Sequence, residues 1–198
     1  MDQWVVRNAF RFVQDCRRTG NTSLKTIDIN LSAAGILQHN FSDWLVDMAR
    51  FYQVDPACVV LEITETAATI AHDLLAERMG RLLAHGFRFA LDDFGAGYAN
   101  LAQIMRLPFC IVKLDRSLLV SASGTESAGI VFEDTIRMFH RMQKLTVVEG
   151  VETREELARV QALDADHIQG FIYARPMPQC ECTGFFAGEN RVRVCRVL

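Results

Sequence analysis

The feature that most constrains the fold is a regular alternation of short apolar runs with longer helix-like segments. The runs are continuous rather than alternating in polarity, which is typical of strands buried on both faces of a sheet. Strict alternation of such strands with helices predicts an α/β fold with a parallel sheet covered by helices. The predicted strands are Thr26–Leu31, Val59–Glu65, Phe87–Leu91, Phe109–Asp115, Leu145–Glu149 and His167–Phe171. The predicted helices are Trp4–Arg18, Phe41–Phe51, Ala71–His85, Leu101–Met105, Ala128–Gln143 and Thr153–Leu163.

Length and charge limit the classes of protein to which the chain can belong. With 198 residues, 50% of them hydrophobic, it is expected to form a single domain over residues 1–198. A net charge of −3 provides no basic field for a nucleic-acid polymer or a membrane surface. No apolar run reaches the length of a membrane span, and the N-terminus lacks a signal-peptide pattern, so we expect a cytoplasmic location.

Cysteine and histidine offer no predicted metal site. Cys180 and Cys182 lie one residue apart, with no second Cys/His pair at zinc spacing. The six cysteines are therefore expected to be reduced thiols. The five histidines lie away from the strand ends and are expected to be surface or core residues.

Polar side chains stand instead at or near the C-terminal ends of the predicted strands. In a parallel α/β barrel all these ends lie on one face, which carries the active site. Carboxylate and amide oxygens suit Mg²⁺, Mn²⁺ or Ca²⁺ rather than Zn²⁺. A cluster large enough for two such ions suits phosphoryl chemistry. These polar residues are Asn30, Glu62, Asp92, Asp93, Lys113, Asp115, Glu149 and Gln169.

The adjacent acids Asp92 and Asp93 stand between an apolar run and a glycine-rich turn. Neighbouring strand residues point to opposite faces, so both acids can reach one site only where the strand stops and the backbone turns. In isolation, an Asp-Asp-Phe-Gly sequence is more often a solvated turn. A kinase Asp-Phe-Gly is excluded because no glycine-rich nucleotide loop or His-Arg-Asp accompanies it. Phe94 and Tyr98 are interpreted as packing residues.

Six motifs in order along the chain resemble those of the EAL-domain family of cyclic di-GMP phosphodiesterases. The resemblance covers about residues 2–178 and leaves 179–198 as a tail. It implies a TIM-like (β/α) barrel. The motifs are Asn30-Leu31-Ser32, Leu61-Glu62-Ile63-Thr64-Glu65, Asp92 to Tyr98, Lys113-Leu114-Asp115, Glu149-Gly150-Val151-Glu152-Thr153, and Gln169-Gly170 with Arg175-Pro176-Met177-Pro178.

The resemblance also implies roles for individual residues. Asn30, Glu62 and Asp92 are expected to bind one metal, and Asp92, Asp93 and Glu149 a second. Lys113, with Glu149, is expected to be catalytic and to contact the attacking water. Glu65 is expected to anchor the loop from Phe94 to Asn100, which in the family couples the metal site to the dimer interface. Asp115, Glu152 and Gln169 are expected to support the site. Gly95, Gly97 and Pro176 are expected to contact the substrate.

The implied reaction is hydrolysis of cyclic di-GMP to linear pGpG in bacterial second-messenger signalling. The implied cofactors are Mg²⁺ or Mn²⁺ in a two-ion site, with Ca²⁺ as an inhibitory ion. The implied partners are a second copy of the chain and a sensory or GGDEF domain in a longer protein.

Two departures from the family pattern lower the expected activity. No Glu-Ala-Leu occurs, and residues 1–18 resemble the helix that follows the Glu-Ala-Leu strand in the family, so we expect this sequence to lack the first two barrel strands. Ala96 and Ala99-Asn100 stand where active members carry Thr and Ser. We therefore expect weak or no turnover. The alternatives are an inactive cyclic di-GMP receptor or protein-interaction module, and an unrelated magnesium-dependent barrel enzyme.

Overall fold

The structure is a computed structural model that describes residues 1–20, 23–69, 72–97, 101–104 and 106–187. The predictions made for Tyr98, Ala99, Asn100, Met105 and the last part of the tail lie outside the described residues. The strands are β1 (Ile27–Asn30), β2 (Val59–Thr64), β3 (Arg88–Phe94), β4 (Ile111–Leu114), β5 (Leu145–Val148) and β6 (His167–Ile168). The α-helices are α1 (Asp2–Arg18), α2 (Ala33–Ile36), α3 (Phe41–Phe51), α4 (Glu65–Ala68), α5 (His72–Ala84), α6 (Leu101–Ile104), α7 (Arg116–Ala122), α8 (Glu126–Arg141), α9 (Arg154–Ala162) and α10 (Gln179–Ala187).

The strands form a parallel sheet whose order follows the chain, from β1 to β6. The pairings of β1 with β2, β3 with β4, β4 with β5 and β5 with β6 are parallel. A doubly wound sheet reverses its strand order at a switch point, whereas a barrel adds each strand beside the previous one. The uninterrupted order therefore agrees with the predicted α/β fold of TIM-barrel type.

The chain divides into two compact units, each assembled from separate segments. Unit 1 comprises Met1–Ile63, Ile70–Phe89 and Pro176–Leu198, and unit 2 comprises Thr64–Thr69 and Ala90–Arg175. In unit 1, α1 packs on β1 and α3, and α5 packs on α2 and α3. In unit 2, α7 packs on α8, and α8 packs on β5. The division follows packing rather than a sequence linker.

All the predicted strands are present in the structure, although most are shorter than predicted. The helix Phe41–Phe51 has the predicted bounds, and the capping box of Thr153 and Glu156 is present at the start of α9. The small polar residues of Ser121–Thr125 predict a loop from composition, and this prediction is wrong in part, because α7 continues to Ala122. The short helices α2 and α4 and most of α7 were not predicted, since segments of four to seven residues are too short for a helical period to be recognised.

The predicted last strand, His167–Phe171, is only two residues long. The segment after it forms a turn, in which the N–H of Tyr173 donates to the carbonyl of Gly170 at 3.1 Å. The N–H of Ile172 donates to the carbonyl of Val151 at 3.0 Å, which joins this turn to the loop after β5. Among the described helices, none is both long and apolar enough to cross a lipid bilayer.

Candidate functional site

Asp92 and Asp93 lie inside a strand rather than after it. The prediction that the strand stops at Leu91 is wrong, because β3 continues to Phe94. Its register with β4 shifts between Leu91, which pairs with Val112, and Phe94, which pairs with Leu114. One extra residue on β3 makes a bulge, and Asp93 occupies the left-handed region with φ 56°. The bulge interrupts the two-residue alternation of side chains, so both carboxylates can contribute to one cluster.

Lys113 is the buried cation of this cluster. It lies on β4 with 1% of its side chain exposed, and its Nζ donates to Asp92 Oδ1 at 2.8 Å. The same Nζ forms an ion pair with Glu149 Oε1 at 2.7 Å. Burial of an ammonium group is costly unless anionic groups surround it, and these two carboxylates provide that surrounding.

Glu149 follows directly after β5, which is the neighbour of β4. Its backbone N–H donates to the carbonyl of Leu114 at 3.0 Å, which continues the parallel pairing one residue beyond the strand. This bond holds the residue beside the end of β4, and the side chain is 11% exposed. The adjacent strands β3, β4 and β5 thus deliver Asp92, Lys113 and Glu149 to one point.

The cluster has the donor set of a divalent cation site. Asp92, Asp93 and Glu149 each offer a carboxylate oxygen, and these oxygens all lie within 4.8 Å of one another. The cluster contains three carboxylates and one ammonium group, so its formal charge is two negative charges in excess. Hard oxygen donors and an excess of negative charge fit Mg²⁺, Mn²⁺ or Ca²⁺. We call Asp92, Asp93, Lys113 and Glu149 the rim cluster.

Glu65 contacts the glycine-rich turn that follows β3. This carboxylate, 5% exposed at the start of α4, accepts a hydrogen bond at Oε2 from the N–H of Gly95 at 3.1 Å. A Cβ on Gly97 would lie 3.6 Å from the Glu65 carboxyl carbon, in ordinary contact. Gly95 has φ 96°, and a Cβ there would lie 2.5 Å from Leu118. Glycine is required at Gly95 both for the backbone conformation and for the packing of Leu118.

Asn30 and Glu62 belong to unit 1, where they stand opposite each other in the parallel register of β1 and β2. Asn30 is exposed and Glu62 is 1% exposed. The carbonyl of Glu62 accepts the N–H of Leu31 at 2.9 Å, so the pairing extends past the end of β1. Both residues therefore lie at or near the C-terminal ends of their strands.

The remaining predicted site residues lie outside the rim cluster. Asp115 is the N-cap of α7, where its Oδ1 accepts the N–H of Ser117 at 2.9 Å. Glu152 is exposed and forms an ion pair with Arg116 at 3.2 Å. Gln169 makes backbone bonds to Val148 and Val151. Pro176 is exposed at the first residue of the last segment of unit 1.

Arg116 is a residue beside the site that the sequence analysis did not single out. Its Nη2 lies 3.2 Å from Glu152 Oε2 and 3.7 Å from Glu156 Oε1. Arg116 is far from Glu152 and Glu156 in the sequence, and an arginine at the first position of a short helix is a common feature by itself. Arg116 follows β4 and the two glutamates follow β5, so they meet only because these strands are neighbours in the sheet.

Comparisons with known proteins identify the family of the chain. The EAL domain family matches residues 1–176. The chain is 28% identical over 178 residues to the cyclic di-GMP phosphodiesterase NbdA of Pseudomonas aeruginosa, covering 90% of this chain and 23% of NbdA. It spans between 21% and 35% of the length of the curated relatives it matches.

Two solved structures give the corresponding likeness in three dimensions. The EAL domain of Mycobacterium smegmatis DcpA superposes with a TM-score of 0.89 at 24% identity, covering 98% of this chain and 86% of that one. At this identity the likeness shows the fold. Klebsiella pneumoniae BlrP1, solved as a complex with calcium and cyclic di-GMP, superposes with a TM-score of 0.79 at 26% identity. The match covers 87% of this chain and 43% of the BlrP1 chain. With the family match over residues 1–176, these findings show that the chain belongs to the EAL domain family.

Proposed function

We propose that this domain hydrolyses one phosphodiester bond of cyclic di-GMP, giving linear pGpG, with divalent metal ions held at the rim cluster. The observation that carries the proposal is a cluster of three carboxylates, two of them paired with the buried ammonium of Lys113, in a chain that belongs to the EAL domain family. Similarity to NbdA, a cyclic di-GMP phosphodiesterase, and to BlrP1, solved with cyclic di-GMP, supports this choice of substrate.

The proposed cofactors are Mg²⁺ or Mn²⁺ in a two-ion site, because paired ions suit phosphoryl transfer and all the available donors are oxygen. Asp92, Asp93 and Glu149 are the ligands that the geometry supports. Asn30 and Glu62 stay in the proposed ligand set on the strength of their motifs alone. Ca²⁺ is proposed to bind without supporting turnover, since it takes more ligands in a more flexible geometry.

Each residue of the rim cluster has a proposed part in the reaction. A bound divalent ion supplies charge neutralisation for the phosphoryl oxygens and lowers the pKa of nearby water. Lys113 forms ion pairs with both Asp92 and Glu149 and is proposed to contact the attacking water. Gln169 is proposed to hold neighbouring waters, and Gly95, Gly97 and Pro176 to contact the substrate.

The family resemblance also supports proposals about partners. The curated relatives are several times longer than this chain, which supports a sensory or GGDEF domain in a longer parent protein. We further propose a homodimer in which Glu65 and the turn at Gly95 couple the metal site to the interface. A cytoplasmic location is proposed because the substrate is an intracellular second messenger.

The proposed activity is tested by incubating the purified chain with cyclic di-GMP and Mn²⁺, and then quantifying pGpG by chromatography. Because the sequence has no Glu-Ala-Leu, a low rate is expected, so the assay uses enzyme in excess over substrate. The proposal predicts pGpG formation that EDTA and Asp92→Asn both abolish. Binding of cyclic di-GMP without any pGpG, at every Mn²⁺ concentration, would contradict it and would favour the receptor function.

A further inference from the structure

Two loops leave the sheet beside the rim cluster. The first loop follows Leu114, the residue after Lys113 at the end of β4, and leads into α7, which begins at Arg116. The second follows β5, contains Glu149, Gly150 and Glu152, and leads into α9. The position of Glu149 therefore depends on how the second loop is held against the first.

Arg116 packs on the second loop at Gly150. Gly150 has φ 68°, and a Cβ placed on it would lie 2.7 Å from Arg116 Cβ and 2.8 Å from Arg116 Cγ and Cδ. These distances are too short for any side chain at Gly150, because the aliphatic part of Arg116 already occupies the space. The stem of Arg116 thus lies directly on the backbone of the residue that follows Glu149.

The charged end of Arg116 contacts the same loop further along. Its guanidinium pairs with Glu152 at 3.2 Å and with Glu156 at 3.7 Å. Glu156 in turn accepts the N–H of Glu152 at 2.7 Å and that of Thr153 at 3.0 Å. These backbone bonds, above all the one from Glu152, together with the charge of Arg116, outweigh burial and lower the pKa of Glu156. The loop is therefore fixed by Arg116 at Gly150 and at Glu152, on the C-terminal side of Glu149.

Ion-pair energy alone does not explain this arrangement. The side chains of Arg116 and Glu152 are 37% and 42% exposed, and exposed pairs contribute only about 0–1 kcal/mol. The close packing on Gly150 is the more specific feature, since it limits where the backbone of Glu149 can lie.

We propose that Arg116 is a positioning residue, which holds the Gly150 backbone so that Glu149 stays in place beside Lys113 and binds the metal. This inference rests on the proposed function, because it assigns Arg116 a role at the same metal site. Arg116 acts through Glu149 and is not itself a ligand.

The test compares Arg116→Ala and Arg116→Lys with the wild-type chain by calorimetric titration of Mn²⁺, with thermal melting as the second measurement. Arg116→Ala is expected to weaken Mn²⁺ binding about tenfold, the lower end for loss of a residue that orients a metal ligand. Arg116→Lys is expected to recover most of the affinity, because its stem still covers Gly150 and its ammonium still faces Glu152. Arg137→Ala is the matched control, since it removes an exposed arginine paired with Glu133 and Asp134 on α8.

Equal Mn²⁺ affinity in the wild type and in Arg116→Ala, with only the melting temperature lowered, would overturn the positioning role and leave the proposed function intact. Failure of the wild type to bind Mn²⁺ would overturn both. Where Arg116→Ala does not fold, Arg116→Gln replaces it, and the same comparison decides the outcome.

Discussion

Unit 2 contains two clusters of polar side chains that join neighbouring strands at opposite ends of the sheet. The rim cluster lies at the C-terminal ends of β3, β4 and β5. The second cluster lies where β5 and β6 begin and consists of His140, Thr146 and Asp166; we call it the base network. Both join segments that are distant in sequence, but they differ in how their charges and hydrogen bonds are balanced.

The base network is satisfied by its own members. Asp166 Oδ2 accepts from Thr146 N–H at 2.8 Å and Thr146 Oγ1 at 3.0 Å, and lies 3.0 Å from His140 Nε2. Asp166 N–H donates back to Thr146 Oγ1 at 3.3 Å. Burial by itself raises the pKa of Asp166, but the hydrogen bonds from Thr146 and the contact with His140 outweigh it and lower the pKa.

The rim cluster differs from the base network in its formal charge. Its three carboxylates face one ammonium group, and all of these groups are buried or half-buried. An excess of buried negative charge costs stability unless a cation joins it. The contrast supports the proposal that the rim cluster binds a cation, whereas the hydrogen bonds of the base network are expected to stabilise the fold.

Replacement of Lys113 by Met is expected to have the largest effect. It leaves Asp92 and Glu149 without their shared counter-ion, and breaking a buried ion pair from one side costs about 3–5 kcal/mol. Because the carboxylates then repel more strongly, Mn²⁺ is expected to raise the melting temperature by more in Lys113→Met than in the wild type. Thermal melting with and without Mn²⁺ measures both effects.

Lys25→Met is the matched control for this prediction, since Lys25 is exposed. An unchanged melting temperature in Lys113→Met without metal would show that the rim charges are not under strain.

Asp92→Asn is expected to have the second largest effect. It removes one carboxylate from the rim cluster and the hydrogen-bond acceptor of Lys113, so Mn²⁺ affinity is expected to fall by about 100-fold, the upper end seen even for outer residues of metal sites. Asp73→Asn is the control, because the Asp73 side chain is fully exposed on α5. Titration of Mn²⁺ into both variants decides the prediction, and equal affinities would contradict it.

These two predictions rest on residues that sequence reasoning could find. Each rim residue directly ends or follows a continuous apolar run, and the parallel sheet brings such positions to one face. The bulge at Asp92–Asp93 could not be found in this way, since it depends on the register between β3 and β4. The base network was also missed, because Thr146 and Asp166 are brought together only when β5 pairs with β6. His140 was expected to be a surface or core residue, and it is a partly exposed member of this network.

Asp166→Asn tests the contribution of the base network to stability. The amide keeps the size of the side chain but removes the charge that accepts from Thr146 and His140, so a loss of about 1–3 kcal/mol is expected. Mn²⁺ affinity is expected to stay at the wild-type value. Urea unfolding measures the loss, and Asp164→Asn is the control because Asn tolerates the φ of 55° found there. A stability loss no larger than that of the control would show that the base network contributes little.

The smallest predicted effect is the pH dependence of the stability difference between the wild type and Asp166→Asn. Because the pKa of Asp166 is lower in the folded chain, its charged form stabilises the fold above the unfolded pKa of about 3.9. That contribution is lost as the pH falls through the lower folded pKa. The stability gap between the wild type and Asp166→Asn is therefore expected to be constant near neutral pH and to narrow below about pH 4. Urea unfolding over a pH series checks this, and a gap that widens on acidification would contradict it.

The central claim is that the rim cluster is a divalent cation site and the base network is not. Calorimetric titration of Mn²⁺ into the wild type, Asp92→Asn and Asp166→Asn tests it most directly. The structure predicts saturable binding of equal affinity in the wild type and in Asp166→Asn, and binding that is strongly weakened in Asp92→Asn. Equal Mn²⁺ binding in all three chains, or none in the wild type, would contradict the claim.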